Sequence, residues 1–427
     1  MRCGVVACLL AGCGGDDDGG GGRSDASSAS DASTGDAAAP GLDASVAGTV
    51  TVTMYSSGLP IVGATVLFHG PDGSLVDRVM TDADGKASKE VLPGSSLTTI
   101  RLEGDFGFLA TYYGVEPGDE IVTGTPPGVS PEPETMDVTF DDSAGSDFVV
   151  HHSCGANSGA ASPITATLNT LCDRANEDFL LVLRTDGQPT GFKAMNDVPL
   201  VDEGAVVVPD GAFTAMSSFN AMLTGIPGDV TEIFADYGVT SDDGTSFLSS
   251  ASVVPDAGTE GLVLPYPGGF GATSTLTLFV VSSTGYGTQR RQSSATSAPA
   301  SGGVNLTDSL LPWIEGEPAF TLATGSVSFT TTGAGSWDLG QCFLQYAQDN
   351  WYLYAPPGTT TIALPEFPDD LAGLAPEGGD SVSVACGMID SDALDADEMR
   401  VHAENSTFYL RTLPPPHVFR ESGLTTF

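Results

Sequence analysis

The densest group of side chains that could bind a ligand is a run of carboxylates near the C-terminus. It reads Asp390-Ser391-Asp392-Ala393-Leu394-Asp395-Ala396-Asp397-Glu398. Ca²⁺ takes oxygen ligands at such alternating spacing, which makes candidate ligands of Asp390, Asp392, Asp395 and Asp397. An EF-hand needs glycine at its sixth position, and Asp395 stands there instead. A solvated acidic loop is therefore the preferred interpretation, and bound calcium, as a possible cofactor, is the alternative.

Residues that could catalyse a reaction are not grouped in the sequence. The chain has no Gly-x-Ser-x-Gly, P-loop, His-Glu-x-x-His or Cys-x-x-Cys motif, and its five histidines are scattered. His151, His152, Cys154 and Cys172 could form a metal site, but adjacent residues of a strand point to opposite faces. The sequence therefore predicts a protein without catalytic activity.

Aromatic side chains offer a different kind of chemistry, the stacking of sugar rings. Trp313, Trp337 and the run Trp351 to Tyr354 could form such a platform, although aromatic residues in strands more often pack in a core. Carbohydrate binding supported by calcium is thus one alternative function. The accessory region of a secreted hydrolase is another.

The charge balance excludes one class of partner. Lys and Arg total 14 against 55 Asp and Glu, a formal net charge of −41. Binding to nucleic acid needs a basic surface to neutralise phosphates. We therefore expect no nucleic-acid partner.

The N-terminus is predicted to be a signal peptide, residues 1–12. One arginine and a short apolar run precede Leu10, Ala11, Gly12 and Cys13. The apolar run is too short to span a bilayer, which needs about 20 residues. The four residues match a lipobox position by position, and this resemblance to bacterial lipoproteins implies a lipid on Cys13. The membrane, reached through that lipid, is the predicted location, on the periplasmic side or at the cell surface.

Residues 13–45 are rich in Gly, Asp, Ser and Ala and lack large apolar residues before Leu42. Such a segment cannot bury enough apolar surface to fold. A coil of roughly 30 residues has a root-mean-square span of about 30 Å. We expect a disordered acidic tether.

Four cysteines, Cys154, Cys172, Cys342 and Cys386, remain after the leader and the lipidation site. An even number in an exported chain predicts disulfides, and four cysteines allow three pairings. We favour Cys154 with Cys172 and Cys342 with Cys386, because each pair then falls within one predicted domain.

Short strand-like runs recur between Gly, Pro and Asp residues, which predicts an all-β fold of tandem β-sandwich domains. The predicted strands are 49–55, 64–69, 179–185, 205–208, 273–281, 326–331, 351–354 and 381–385. The best helix candidate, 368–375, contains glycine and is followed by Pro376, so it forms a turn or two at most.

Residues 46–125 carry a recognisable pattern. Leu59 to Val66 turns into a strand, Asp84 and Gly85 suit a tight hairpin, and Leu92-Pro93-Gly94 precedes the next strand. This pattern resembles the carboxypeptidase-regulatory-like domain, a transthyretin-like β-sandwich. The resemblance implies a stalk or accessory module without catalytic residues.

A Pro-rich linker, 126–133, is predicted to follow this module. Three further β domains are predicted at 134–210, 211–312 and 313–427, of which the first two could be one sandwich. These segments resemble β-rich surface lipoproteins of bacteria. The predicted role is adhesion, binding or scaffolding, with envelope polysaccharide or a surface protein as partner.

The lipid anchor gives a direct prediction. Metabolic labelling with a palmitate analogue should mark the wild-type protein, and Cys13→Ser should abolish the label because the acceptor thiol is gone. Label retained in Cys13→Ser would contradict the lipobox assignment.

Overall fold

The structure is a computed structural model, and it describes residues 46–423 except 57, 105, 125–133, 144–146, 169–175, 200–203, 257, 286, 333–334, 402 and 404–415. The predicted signal peptide, tether and linker lie outside these residues. The strands are β1 (Gly48–Ser56), β2 (Leu59–Pro60), β3 (Thr65–His69), β4 (Leu75–Met80), β5 (Lys86–Val91), β6 (Ser95–Glu103), β7 (Phe106–Val115), β8 (Glu120–Thr123), β9 (Glu134–Thr139), β10 (Phe148–His152), β11 (Gly155–Gly159), β12 (Ile164–Leu168), β13 (Asn176–Thr185), β14 (Gln188–Pro199), β15 (Gly204–Val207), β16 (Thr214–Ala215), β17 (Ser217–Ile226), β18 (Val230–Thr240), β19 (Ser246–Val253), β20 (Gly258–Tyr266), β21 (Thr273–Ser282), β22 (Thr288–Ala295), β23 (Ser301–Asn305), β24 (Trp313–Thr321), β25 (Ser326–Thr332), β26 (Leu339–Tyr346), β27 (Asp349–Ala355), β28 (Thr361–Ala363), β29 (Ser383–Ser391) and β30 (Val418–Ser422).

The predicted all-β class is confirmed. Two short helices, α1 (Leu306–Ser309) and α2 (Ala396–Val401), and two 3₁₀ turns, Leu322–Thr324 and Asp369–Leu374, complete the described elements. The second 3₁₀ turn occupies the segment for which the sequence predicts a turn or two. Strands such as β12 alternate buried and exposed residues, as a sheet with one face on a core requires.

The strands form layered sheets of very different size. The small sheets have the orders β2-β1-β5 with β8 also on β1, β12-β9-β15, β20-β17-β23, β24-β25-β28 and β11-β10-β13-β14-β16. One sheet of twelve strands has the order β19-β18-β21-β22-β30-β29-β26-β27-β7-β6-β3-β4. This sheet combines strands from the predicted domains 46–125, 211–312 and 313–427.

The parallel pairing of β7 with β27 joins the start of the described chain to its last part. Leu109 lies opposite Trp351 in this register. The Trp351 indole donates a hydrogen bond of 2.9 Å to the Thr111 hydroxyl, and the Gly107 N–H donates one of 2.7 Å to the Asp349 carboxylate. Buried side-chain clusters lie on both faces of the twelve-stranded sheet beside this junction. One buried cluster lies under the β2-β1-β5 sheet, and a second contains Leu67, Ile100 and Leu109 together with residues of 311–388.

Asp84 and Gly85 do not form the predicted hairpin. Gly85 has a positive φ of 73°, and the Asp82 carboxylate accepts hydrogen bonds from the N–H groups of Asp84 and Lys86. The turn is therefore tight, as predicted. However, β4 pairs with β3 and β5 pairs with β1, so the turn leads from the twelve-stranded sheet to the β2-β1-β5 sheet.

The predicted disulfide between Cys342 and Cys386 is confirmed. The two residues lie directly opposite each other on β26 and β29, with Cα atoms 4.1 Å apart. Cys154 is also disulfide-bonded. Its predicted partner, Cys172, lies outside the described residues, so that pairing stays a prediction.

A buried ion pair connects α2 to the turn between β7 and β8. Arg400 is 4% exposed, and its guanidinium lies 2.8 Å from the Asp119 carboxylate and 2.9 Å from that of Asp397. The Asp119 side chain is 13% exposed, whereas the Asp397 side chain is 66% exposed. The two carboxylates therefore differ in how strongly water screens them.

Asp119→Ala is expected to lower the free energy of unfolding by about 3 kcal/mol, because it leaves a buried guanidinium short of a carboxylate. The matched change Asp397→Ala should cost less than about 1 kcal/mol, because water screens that pair. Urea unfolding followed by tryptophan fluorescence measures both values. Equal losses would show that the buried contact is not the stronger one.

A buried carboxyl lies where β13 meets the β18–β19 turn. Glu177 is fully buried and accepts hydrogen bonds from the N–H and hydroxyl of Ser153 and from the Thr245 hydroxyl. Burial raises the pKa of Glu177, and the nearby negative charge of Asp243 adds to the rise. Ionisation of Glu177 therefore lowers the stability of the folded protein.

This environment predicts a pH dependence of stability. A carboxyl whose pKa is raised by folding stabilises the fold fully below its usual value of 4.5, and that contribution is lost as the pH rises through the folded value. Glu177→Gln mimics the protonated form, and its amide can donate to the Ser153 hydroxyl. Urea unfolding should show the variant more stable than wild type at pH 8, with the difference shrinking towards pH 4.5. A difference that is constant with pH would contradict the assignment.

Candidate binding surface

Two tryptophans of the predicted sugar platform are part of the core, and the third, Trp313, is half-buried against it. Trp351 is fully buried and Trp337 is 6% exposed. The Trp313 ring lies against Gly285 so closely that a Cβ there would be 2.3 Å from it. Tyr352, the next residue after Trp351, is 40% exposed. The platform interpretation is thus wrong for Trp337 and Trp351, whereas Tyr352 is exposed enough to bind a sugar ring.

Strand register places other residues beside Tyr352 on the same face of the twelve-stranded sheet. Tyr352 lies opposite Phe343 of β26, and its neighbour on that face, Asn350, lies opposite Gln345. On the other side, Asn350 is paired with Phe108 of β7, and Phe108 is paired with Arg101 of β6. Directly paired residues point to the same face. We call this group the aromatic face; it consists of Arg101, Phe108, Phe343, Gln345, Asn350 and Tyr352.

Two rings of the aromatic face contact each other, and the third contacts a guanidinium. Phe343 and Tyr352 have ring centroids 4.9 Å apart, and Tyr352 is parallel to Tyr354 at 6.5 Å. The Arg101 guanidinium lies over the Phe108 ring, 4.7 Å from its centroid, and it is paired with Glu103 at 3.2 Å. These contacts hold apolar rings at the surface in a fixed arrangement.

A cavity of about 310 Å³ opens beside these rings. Phe108, Tyr352 and Tyr354 line one part of it, and the rest of the lining includes Met54, Ile61, Thr99, Arg101 and Thr123. Flat rings offer stacking surfaces, while the hydroxyl and guanidinium groups of the lining offer hydrogen bonds. This combination suits a ligand with apolar C–H faces and many hydroxyl groups.

The four aspartates of the acidic run have separate partners. Asp390 pairs with Arg420 at 2.5 Å, and Asp392 accepts a hydrogen bond from the Val418 N–H. Asp395 accepts bonds from the N–H groups of Asp397 and Glu398 at the start of α2, and Asp397 pairs with Arg400. Burial raises the pKa of Asp390, with the Arg420 charge opposing the rise.

Within the described residues no group of three or more His, Cys, Asp or Glu is placed to hold a metal ion. Calcium at this run stays a prediction.

His151 and His152 point to opposite faces of β10, as expected of neighbours on a strand. His151 packs against Phe247, and burial lowers its pKa to about 4. His152 contacts Asn157 and Phe179. The two rings therefore do not share a site.

Sequence reasoning missed Arg101, Phe108, Phe343, Gln345 and Asn350. The alternation of residue types in β7 and β26 is the signal that could have placed Phe108, Phe343 and Gln345 on one face of their strands. Which strands lie side by side is not visible in that alternation.

No helix among the described residues is long and apolar enough to span a membrane. No family model matches the chain, and no curated protein matches it.

Among solved structures, the chain is similar to the Bacillus anthracis TIE protein, at 12% identity over 61% of this chain and 50% of that chain, with a TM-score of 0.15. It thus spans half the length of that protein. It is similar to BcpA, the major pilin subunit of Bacillus cereus, at 11% identity over 61% of this chain and 99% of that chain, with a TM-score of 0.15. It is also similar to a streptococcal ancillary pilin, at 10% identity over 61% of this chain and 98% of that chain, with a TM-score of 0.15. At these TM-scores the similarities assign neither a family nor an activity.

Proposed function

We propose that this protein is a non-catalytic binding protein of the bacterial envelope or cell surface, anchored by a lipid on Cys13, which binds a neutral polysaccharide through the aromatic face. The exposed aromatic face is the observation that carries this proposal. It lies on strands of the twelve-stranded sheet, and its rings alternate with the side chains of Gln345 and Asn350. Sites built on strands give a more precise binding geometry than sites on loops.

The composition of the face favours sugar over an apolar protein partner. Tyr352 presents a ring that a pyranose can stack on, with amides within reach of its hydroxyl groups. The protein's net charge of −41 repels acidic polymers. A neutral polysaccharide is therefore the occupant we propose.

A non-catalytic role is supported by the places of the histidines. His69, His151, His152 and His417, all those that the structure describes, are at most 9% exposed. A general base must reach the proton that it abstracts, and these rings lie inside the fold.

The anchor and tether proposal fits the position of the first strand. β1 begins at Gly48, which leaves the segment after Cys13 as a spacer of about 30 Å. Such a spacer would hold the aromatic face clear of the membrane to which Cys13 attaches.

Binding can be tested with the full chain by affinity electrophoresis in gels that contain soluble neutral glucans, neutral xylans or polygalacturonate. Tyr352→Ala should weaken binding to a neutral polysaccharide by about tenfold, since a lost stacking contact is worth about 1.4 kcal/mol. Tyr352→Phe keeps the ring and should retain most of the affinity.

Phe234→Ala is the matched control, because Phe234 is also an aromatic residue with 40% exposure, but on β18. It should leave binding unchanged. The proposal fails if wild type binds no neutral polysaccharide, or if Phe234→Ala and Tyr352→Ala have equal effects.

A further inference from the structure

A second cavity lies on the other side of the twelve-stranded sheet, between the β3–β4 turn and β28. It is a groove of about 700 Å³. Ser96 and Tyr113 belong to its lining on the sheet side, and Thr361 and Ala363 belong to its lining on the opposite side. The Tyr113 hydroxyl donates a hydrogen bond of 2.7 Å to the Ala363 carbonyl across the groove.

β28 presents an open strand edge to this groove. It is the last strand of the β24-β25-β28 sheet and pairs with β25 alone. The Thr360 carbonyl and the Leu364 N–H bond to the β25 side, and Ile362 lies opposite Val327. Since main-chain groups alternate in direction along an antiparallel strand, those of Thr361 and Ala363 point away from β25. The free edge therefore offers the N–H and C=O of Thr361 and the N–H of Ala363.

The charge at the groove has one sign. Asp72 and Glu366 line it, and its lining contains no Lys, Arg or His. A third carboxylate, Glu116, accepts a hydrogen bond from the N–H of Gly94, another lining residue. A positively charged occupant is favoured at such a rim.

We propose that this groove binds an extended, lysine- or arginine-containing peptide segment, which adds as a strand to the free edge of β28. An open edge pairs with an extended chain through main-chain hydrogen bonds. The net charge of −41 makes a second copy of this chain, or its own acidic tether, an unfavourable occupant. The proposal is independent of the aromatic face.

The test uses the full chain and a fluorescein-labelled peptide of six alternating Lys and Val residues, followed by fluorescence anisotropy. Thr361→Pro removes the edge N–H and should weaken binding about tenfold. The matched change Thr361→Ala keeps that N–H, so its affinity should stay within about twofold of wild type. Proline is tolerated on strand edges where the N–H has no partner.

The charge requirement is tested separately. The double change Asp72→Asn and Glu366→Gln should weaken binding about fivefold, while Asp256→Asn, an exposed carboxylate outside the groove lining, should not. If Thr361→Pro fails to fold, Ala363→Lys and Ala363→Glu serve instead. The first should weaken and the second strengthen binding.

The proposal is overturned if an alternating Glu and Val peptide binds as well, if Thr361→Pro and Thr361→Ala are indistinguishable in folded protein, or if Ala363→Lys and Ala363→Glu have the same effect. Tyr352→Ala should bind the peptide normally. Loss of peptide binding in Tyr352→Ala would place the peptide on the aromatic face and overturn the groove.

Discussion

The parallel pairing of β7 with β27 is the contact on which the arrangement of the protein depends. It joins residues 242 positions apart, such as Gly107 and Asp349. Without it, the twelve-stranded sheet would divide at this point into two separate sheets. The buried cluster that combines Leu67, Ile100 and Leu109 with residues of 311–388 would then be divided between two sheets. The main-chain hydrogen bonds of this junction are reinforced by a side-chain bond, which the indole N–H of Trp351 donates to the Thr111 hydroxyl.

The same junction determines what each face of the sheet presents. Trp351 and Tyr352 are neighbours in sequence, yet one is fully buried and the other is 40% exposed. Because side chains alternate along a strand, β27 contributes one ring to the core and the next to the aromatic face. Tyr113, on β7, lies at the groove instead. Two proposed sites on opposite faces of one sheet can be occupied at the same time.

Local patterns in the sequence were sufficient for the all-β class, for the turn near Asp369–Leu374 and for the pairing of Cys342 with Cys386. Each of these depends on residue periodicity, on Gly and Pro positions or on a small number of cysteines. The neighbours of β7 could not be predicted, because any strand with suitable edges satisfies the same alternation. The aromatic face depends on four strands that are adjacent only through that pairing, so counting aromatic residues pointed to Trp337 and Trp351 rather than to Phe108 and Phe343.

The long separation between β7 and β27 also affects how the chain must reach this structure. Proteins with many distant contacts fold slowly, because loop-closure entropy opposes each such contact. During synthesis, β7 can pair with β6 soon after both emerge, but its other edge stays bare until Asp349–Ala355 follows. A bare edge is a template for pairing with other chains. We expect the nascent protein to need protection by a chaperone, or to be kept unfolded, until its C-terminal strands arrive.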